Sequence, residues 1–469
     1  MRRSALGVLA LIATVGTSPG AELPASPDGA ARIASSLSRY LGDLVVQAPS
    51  MVAVEPQDAT SYRMTFDLAP LVRAIGVAGK PLKLDTPPQS IRLAENDDGT
   101  WRVTVEGLAP LSGVVGDDRF AFRMDGFRFD GTWDAGIFGF RTAGSEHASI
   151  SRTDETARGK STSTAGPGYA TVEGAAGKGG GTTTVVGTSM TDVRTTATGE
   201  GFEVALRMSK ADSVTTVDSM RVQPFAELLA LWASGKEAVA AKATEARRLL
   251  VEALPIFESF DQRYAIEGLQ VVAAGTEVSV GSLTTQTATS GLTKDARMMF
   301  WYEAKGVSVR SPRVPAWAGA LLPTRSNLQM EVSGHDLASL SEEAVALLDV
   351  GAGAGRDERV KAVLQRLQST PTVVSVMPTG FGNDLYGISV EGVGNVTSTE
   401  RSTRLKVTMT GIDAVDGVLA GTEDAQARQM RAMLGMARAY ASPGDNGALV
   451  WIVDYDGNAV SVNGRPLGR

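Results

Sequence analysis

Strict two-residue alternation of apolar and polar side chains recurs along this chain and most constrains its fold. It is clearest in residues 62–68, with Tyr62, Met64, Phe66 and Leu68 on one side and Arg63, Thr65 and Asp67 on the other. The pattern returns at 101–105, 120–129, 202–208 and 327–332. Successive side chains of a strand point to opposite faces, so each run predicts a strand with one buried and one wet face. The connections after Asp97-Asp98-Gly99 and around Gly126 are too short for crossover helices, which predicts antiparallel pairing.

Helical periodicity appears in fewer places. Ile33, Leu37, Tyr40 and Leu41 share one face of a helix expected over 29–41. Phe225, Leu228, Leu229 and Trp232 mark another, and 239–253 a third, closed by Pro255. Further helices are expected at 339–348, 356–367 and 423–440, the last with Met430, Met433, Leu434 and Ala437 as a buried stripe. The fold class is therefore α+β: long, twisted, largely antiparallel sheets with helices packed on one face. Residues 142–200 are dominated by Gly, Ser, Thr and Ala; a regular solvated sheet is favoured there over a flexible linker.

Three segments share one plan, an alternating strand, an aspartate, and apolar residues entering a helix. The aspartates are Asp67, Asp336 and Asp413, each expected to cap a helix by accepting its free N–H groups. This suggests repeated strand–helix units. Composition shifts divide the chain into 1–21, a signal peptide; 22–141, a β-rich domain with a leading helix; 142–200, the Gly/Ser/Thr-rich region; and two α+β regions, 201–335 and 336–469. Arg2 and Arg3 precede the apolar run from Ala5 to Val15, and small residues follow, which is the order of a cleaved secretory signal. No later stretch reaches membrane-spanning length.

Several chemistries are disfavoured. There is no cysteine, and the two histidines, His147 and His335, lie far apart, so no metal site is expected. The net charge of -7 argues against nucleic acid. No Gly-x-Ser-x-Gly elbow and no phosphate loop is present. No cofactor and no catalytic residue is expected. The densest apolar group is Met298, Phe300, Trp301 and Tyr302, with Trp317 close behind, and these five are the expected lining of an apolar groove, although core packing is the more common use of such residues.

The signal segment, the strand-Gly-x-Asp-helix units such as 328–340, and the closing strand 459–467 resemble a family of alphaproteobacterial periplasmic proteins, domain of unknown function 2125. They are also loosely similar to the domain of unknown function 945 group. The resemblance implies a periplasmic location and supplies no active site. A non-enzymatic envelope protein is the expectation, binding a hydrophobic ligand such as a lipid, or acting as an assembly scaffold for another envelope protein. The alternative is an envelope hydrolase acting on glycan or ester bonds.

Overall fold

The computed structural model describes residues 21–41, 51–70, 82–233, 241–346, 354–397 and 401–467; the expected signal segment, apart from Ala21, lies outside them. The chain divides into two compact units at Phe260/Asp261. This corrects the boundaries expected from composition. The strand Gly139–His147 runs through the expected break at 141, and 142–200 is filled by successive strands, so that region belongs to the first sheet. The boundary at 335 falls where the strand Arg325–His335 enters a helix, inside the second unit.

The protein is mostly antiparallel sheet with few helices. In the first unit, long ribs of chain run back and forth. Asp118–Asp125 continues into Arg128–Asp134, Gly139–His147 into Ser149–Thr156, and Gly159–Ala165 into Gly168–Ala176. Thr182–Gly199 and Phe202–Met220 complete the series. Each rib pairs antiparallel with the next.

The interruptions within the ribs line up. Ser149 lies opposite Asp125 and Glu146 opposite Arg128, which sets the break at 126–127 beside the break at 148. Ala165 lies opposite Ile150 and Gly168 opposite His147, which sets Gly166-Pro167 beside the same line. In Thr182–Gly199 the line crosses Asp192, a non-glycine residue at φ 50°. Backbone bonds knit it together: Gly107 N–H donates to Phe127 O (2.8 Å), Ala148 N–H to Asp125 O (2.9 Å), and Gly166 N–H to Thr191 O (2.8 Å). The result is a crease across the sheet. Pro167 has no N–H to give a ladder. Gly126, at φ 64°, sits so close that an added Cβ would lie 3.0 Å from the Ala148 Cβ.

One face of the first sheet is apolar. Tyr62 lies opposite Leu93, Leu93 opposite Val103, and Val105 opposite Phe129. The helix Pro27–Leu41 lays Ala30 and Ile33 on this face. It starts two residues earlier than its apolar periodicity predicts, because Ser26 caps it. The Ser26 hydroxyl accepts the Gly29 N–H at 3.0 Å, and proline occupies the first helical position.

His147 sits at the crease. Its Nε2 is buried with no hydrogen-bond partner among the described residues, and its ring packs where a Cβ on Gly168 would stand, 2.6 Å from Cε1. Burial lowers its pKa. The unfolded chain therefore binds a proton below about pH 6.5 that the folded chain resists. Stability is full above that value, falls as pH drops through it, and levels off below the lowered folded pKa. We expect urea unfolding midpoints to drop between pH 7.5 and pH 5, and His147→Phe to flatten that slope. An unchanged slope in the variant would remove His147 from the account.

In the second unit the strands form a meander. Thr276–Thr289 pairs with Ala296–Lys305, then follow Arg325–His335, Thr372–Gly382, Gly387–Val396, Arg401–Thr410 and Leu449–Tyr455, all antiparallel. Two connections are long and helical. Leu337–Ala346 and Ala354–Ser369 fill one; Ile412–Ala420 and Ala425–Tyr440 fill the other. Among the described residues no helix is long and apolar enough to cross a membrane.

The three aspartates differ. Ala69 N–H donates to Asp67 at 2.9 Å, at the start of a helical turn. Ser339 donates its N–H (2.9 Å) and hydroxyl (2.7 Å) to Asp336. These bonds hold the Asp336 carboxyl below the usual carboxylate range, the backbone N–H contributing most. Asp413 corrects the expectation. Gly411 takes the cap position at φ 73°, with no side-chain cap, and Asp413 lies inside the first turn, where it pairs with Arg438. The crowding explains the glycine: a Cβ at 411 would lie 2.0 Å from Leu385 O. The cap with a side chain is Asp424, which accepts from Gln426 and Ala427 N–H.

Candidate functional site

The five expected groove residues do not come together. Met298, Phe300 and Tyr302 alternate along Ala296–Lys305 and share one face; the rings of Phe300 and Tyr302 lie 6.3 Å apart. Trp301 points to the other face, between Gln286 and Gln329 on the neighbouring strands. Trp317 lies on the short helix Ala316–Ala320 and packs on the core around Met409 and Leu419. Two-residue alternation splits a consecutive aromatic run, which is why the expected cluster breaks up.

The face that carries Met298 and Phe300 is nonetheless apolar over much of the second unit. Phe300 lies opposite Met330, Met330 opposite Val376, Val376 opposite Gly392, Gly392 opposite Leu405, and Leu405 opposite Val453. A parallel row runs Met298, Val332, Val374, Gly394, Thr403 and Tyr455. The two glycines lower the middle of the face, and Leu405 leans across the first of them, its Cδ2 2.9 Å from where a Gly392 Cβ would stand. Neighbouring strands lie about 4.8 Å apart, so a row over six strands spans about 24 Å.

The two ends of this face differ. At one end Ile388, Met409, Leu449 and Trp451 are covered by Ile412, Val415 and Leu419 of one helix and by Ala427 and Leu434 of the next. At the other, Met298 is 54% exposed, Phe300 36% and Val396 40%. Met298 and Phe300 share one strand and Val396 lies three strands away, so open apolar side chains are spread over this end of the face. A separate recess of about 310 Å³ lies toward the opposite end of the same strands, lined by apolar side chains such as Phe381 and Ile388 together with Glu303, Lys305, Arg325 and Asn327.

Sequence periodicity also misplaced the methionines of Ala425–Tyr440. Met430 and Met433 were expected inside, and they are 47% and 58% exposed; Met436 is exposed too. Leu434 faces the core as expected, and Ala427 does so in place of the methionines. Arg431 and Arg438 reach Asp416 and Asp413 on the preceding helix.

No group of three or more metal-ligating side chains converges among the described residues. No family model, curated protein or solved structure matches this chain.

Proposed function

We propose that this is a non-enzymatic periplasmic protein of the cell envelope that holds the acyl chain of a lipid against the open apolar sheet face of its second unit. The observation that carries the reading is the six-strand row from Phe300 to Val453, apolar except for its bare glycine and exposed at the Phe300 end. Its span of about 24 Å exceeds half of the bilayer's hydrocarbon core of about 30 Å, which is the reach of one acyl chain. Burying apolar surface contributes about 25 cal/mol per Å², so a chain lying along such a row gains several kcal/mol without any polar contact. Methionine adapts to ligands of varied shape, and Met298 and Met330 stand in adjoining strands on this face. The signal-like N-terminus and the resemblance to periplasmic proteins support the location.

Native mass spectrometry with lipid extraction, on protein purified from its own envelope, tests this. A defined co-purifying lipid is expected. A charge placed on the row by Phe300→Glu should reduce lipid occupancy about tenfold or more, because a buried carboxylate against an acyl chain costs well over the 1.4 kcal/mol that a factor of ten requires. Trp301→Glu, on the opposite face, should leave occupancy unchanged. Ligand-free wild-type protein, or equal loss in both variants, would overturn the assignment.

A further inference from the structure

The first unit carries a second, chemically different surface. On the face opposite its apolar core lies a cleft of about 900 Å³. Four arginines line it, Arg63, Arg92, Arg102 and Arg128, together with four carboxylates, Asp58, Glu106, Asp130 and Glu146. Cross-strand register explains the layout. Glu106 lies opposite Arg128, Arg128 opposite Glu146, and Glu146 opposite Tyr169, in a row beside the crease. The next row runs Arg63, Arg92, Thr104, Asp130, Gly144 and Thr171. Gly144, with no side chain, deepens the floor between Asp130 and Thr171. Tyr169 is 56% exposed.

The arginines are unequally satisfied. Arg102 grips Asp130 with two bonds of 3.1 and 2.9 Å. Arg92 reaches Asp58 at 3.3 Å, Arg128 reaches Glu146 at 3.6 Å, and Arg63 reaches Glu55 only at 3.8 Å. Asp58 is occupied by its own turn. The Ser61 hydroxyl, then the Thr60 N–H, hold its carboxyl down to about 2, so it stays ionised while its oxygens serve that turn. Arg63 and Arg92 stand directly opposite one another, a like-charge pairing that destabilises a sheet. Their guanidinium N–H groups face the cleft with donors to spare.

We infer that this cleft binds an acidic, carboxylate-bearing oligosaccharide, with sugar carboxylates on Arg63 and Arg92 and a sugar ring against Tyr169. Arginine suits planar carboxylates because its fork offers two parallel N–H bonds. Threonine hydroxyls donate to and accept from sugar hydroxyls, and the cleft's carboxylates accept from them.

Calorimetric titration of the full chain with an oligogalacturonate, against a neutral cello-oligosaccharide of equal length and a single-stranded oligonucleotide, tests the inference. The uronate should bind at least tenfold more tightly than either, weakening as salt rises. The double variant Arg63→Gln/Arg92→Gln should lose at least tenfold of that affinity, and Arg404→Gln in the second unit none. Circular dichroism checks that the double variant folds; if it does not, Tyr169→Ala and hydrogen exchange of the wild type with uronate take its place. Protection is then expected in Arg128–Asp134 and Gly168–Ala176. Absent uronate binding, equal binding of the neutral sugar or the oligonucleotide, or undiminished binding by the folded variants would overturn it.

Discussion

Tyr62→Ala is expected to destabilise the first unit by about 3–5 kcal/mol, the range for deleting a buried aromatic side chain. Tyr62 is 2% exposed and lies at the centre of the first core, against Leu93 and near the Trp101 ring at 6.3 Å. It also holds the leading helix in place. Its hydroxyl accepts the Ser26 N–H at 3.2 Å and rests where a Gly29 Cβ would stand, at 2.1 Å. Truncation would remove the ring, leave a cavity beneath the helix, and free the helix start at once. Tyr62→Phe separates these effects. It keeps the packing and loses one hydrogen bond, so a loss of about 1 kcal/mol is expected. Urea unfolding of both variants measures the difference. A loss under about 1 kcal/mol for the alanine variant would show that the helix contributes little to this core.

Leu419→Ala should cost about 2–5 kcal/mol in the second unit. Leu419 is 1% exposed and joins the helix Ile412–Ala420 to the sheet through Tyr386 and Met409. Its helix is also held by ion pairs from Arg431 to Asp416 and from Arg438 to Asp413, which are exposed and contribute little each. The burial of Leu419, with Ile412 and Val415, therefore dominates. Hydrogen exchange should show faster exchange in 412–420 and 425–440 for this variant, and in Arg401–Thr410 to a smaller degree. Arg431→Gln, by contrast, should shift stability by under about 1 kcal/mol. If the two variants were equally damaging, the surface ion pairs and not the core would hold the helices.

Asp336 and Asp413 show how far local sequence reaches. Both follow a glycine at the end of an alternating strand, and both precede apolar helical residues. Only Asp336 accepts at a helix start. At Gly411 the strand exit passes within 2.0 Å of Leu385 O, measured from an ideal Cβ, and glycine itself must take the cap position. That neighbour lies in the turn between Thr372–Gly382 and Gly387–Val396, so no window around Asp413 contains the signal. The start of the first helix is the opposite case. Ser26, Pro27 and Asp28 form a local start signal that apolar periodicity alone overlooks.

The candidate site divides the same way. Alternation within residues 298–302 already separates Met298, Phe300 and Tyr302 from Trp301, because side chains of a strand change face at every step. What alternation leaves open is which face is covered. Met409 is buried and Ile388 partly covered by helices that follow later in the chain, while Met298, at the far end of the same face, stays open. The arginine cleft has no local trace at all: Arg63, Arg92, Arg102 and Arg128 are far apart in sequence and meet only through register.

Antiparallel pairing, the position of most strands and the side chains that share a face follow from a two-residue period and short turns, and so are legible in the residue order alone. Where the units divide, how the breaks in successive ribs align into one crease, and which apolar residues end up open emerge in the folded chain. Those outcomes depend on strand register and on contacts between segments distant in the chain, where a shift of one residue exchanges the two faces.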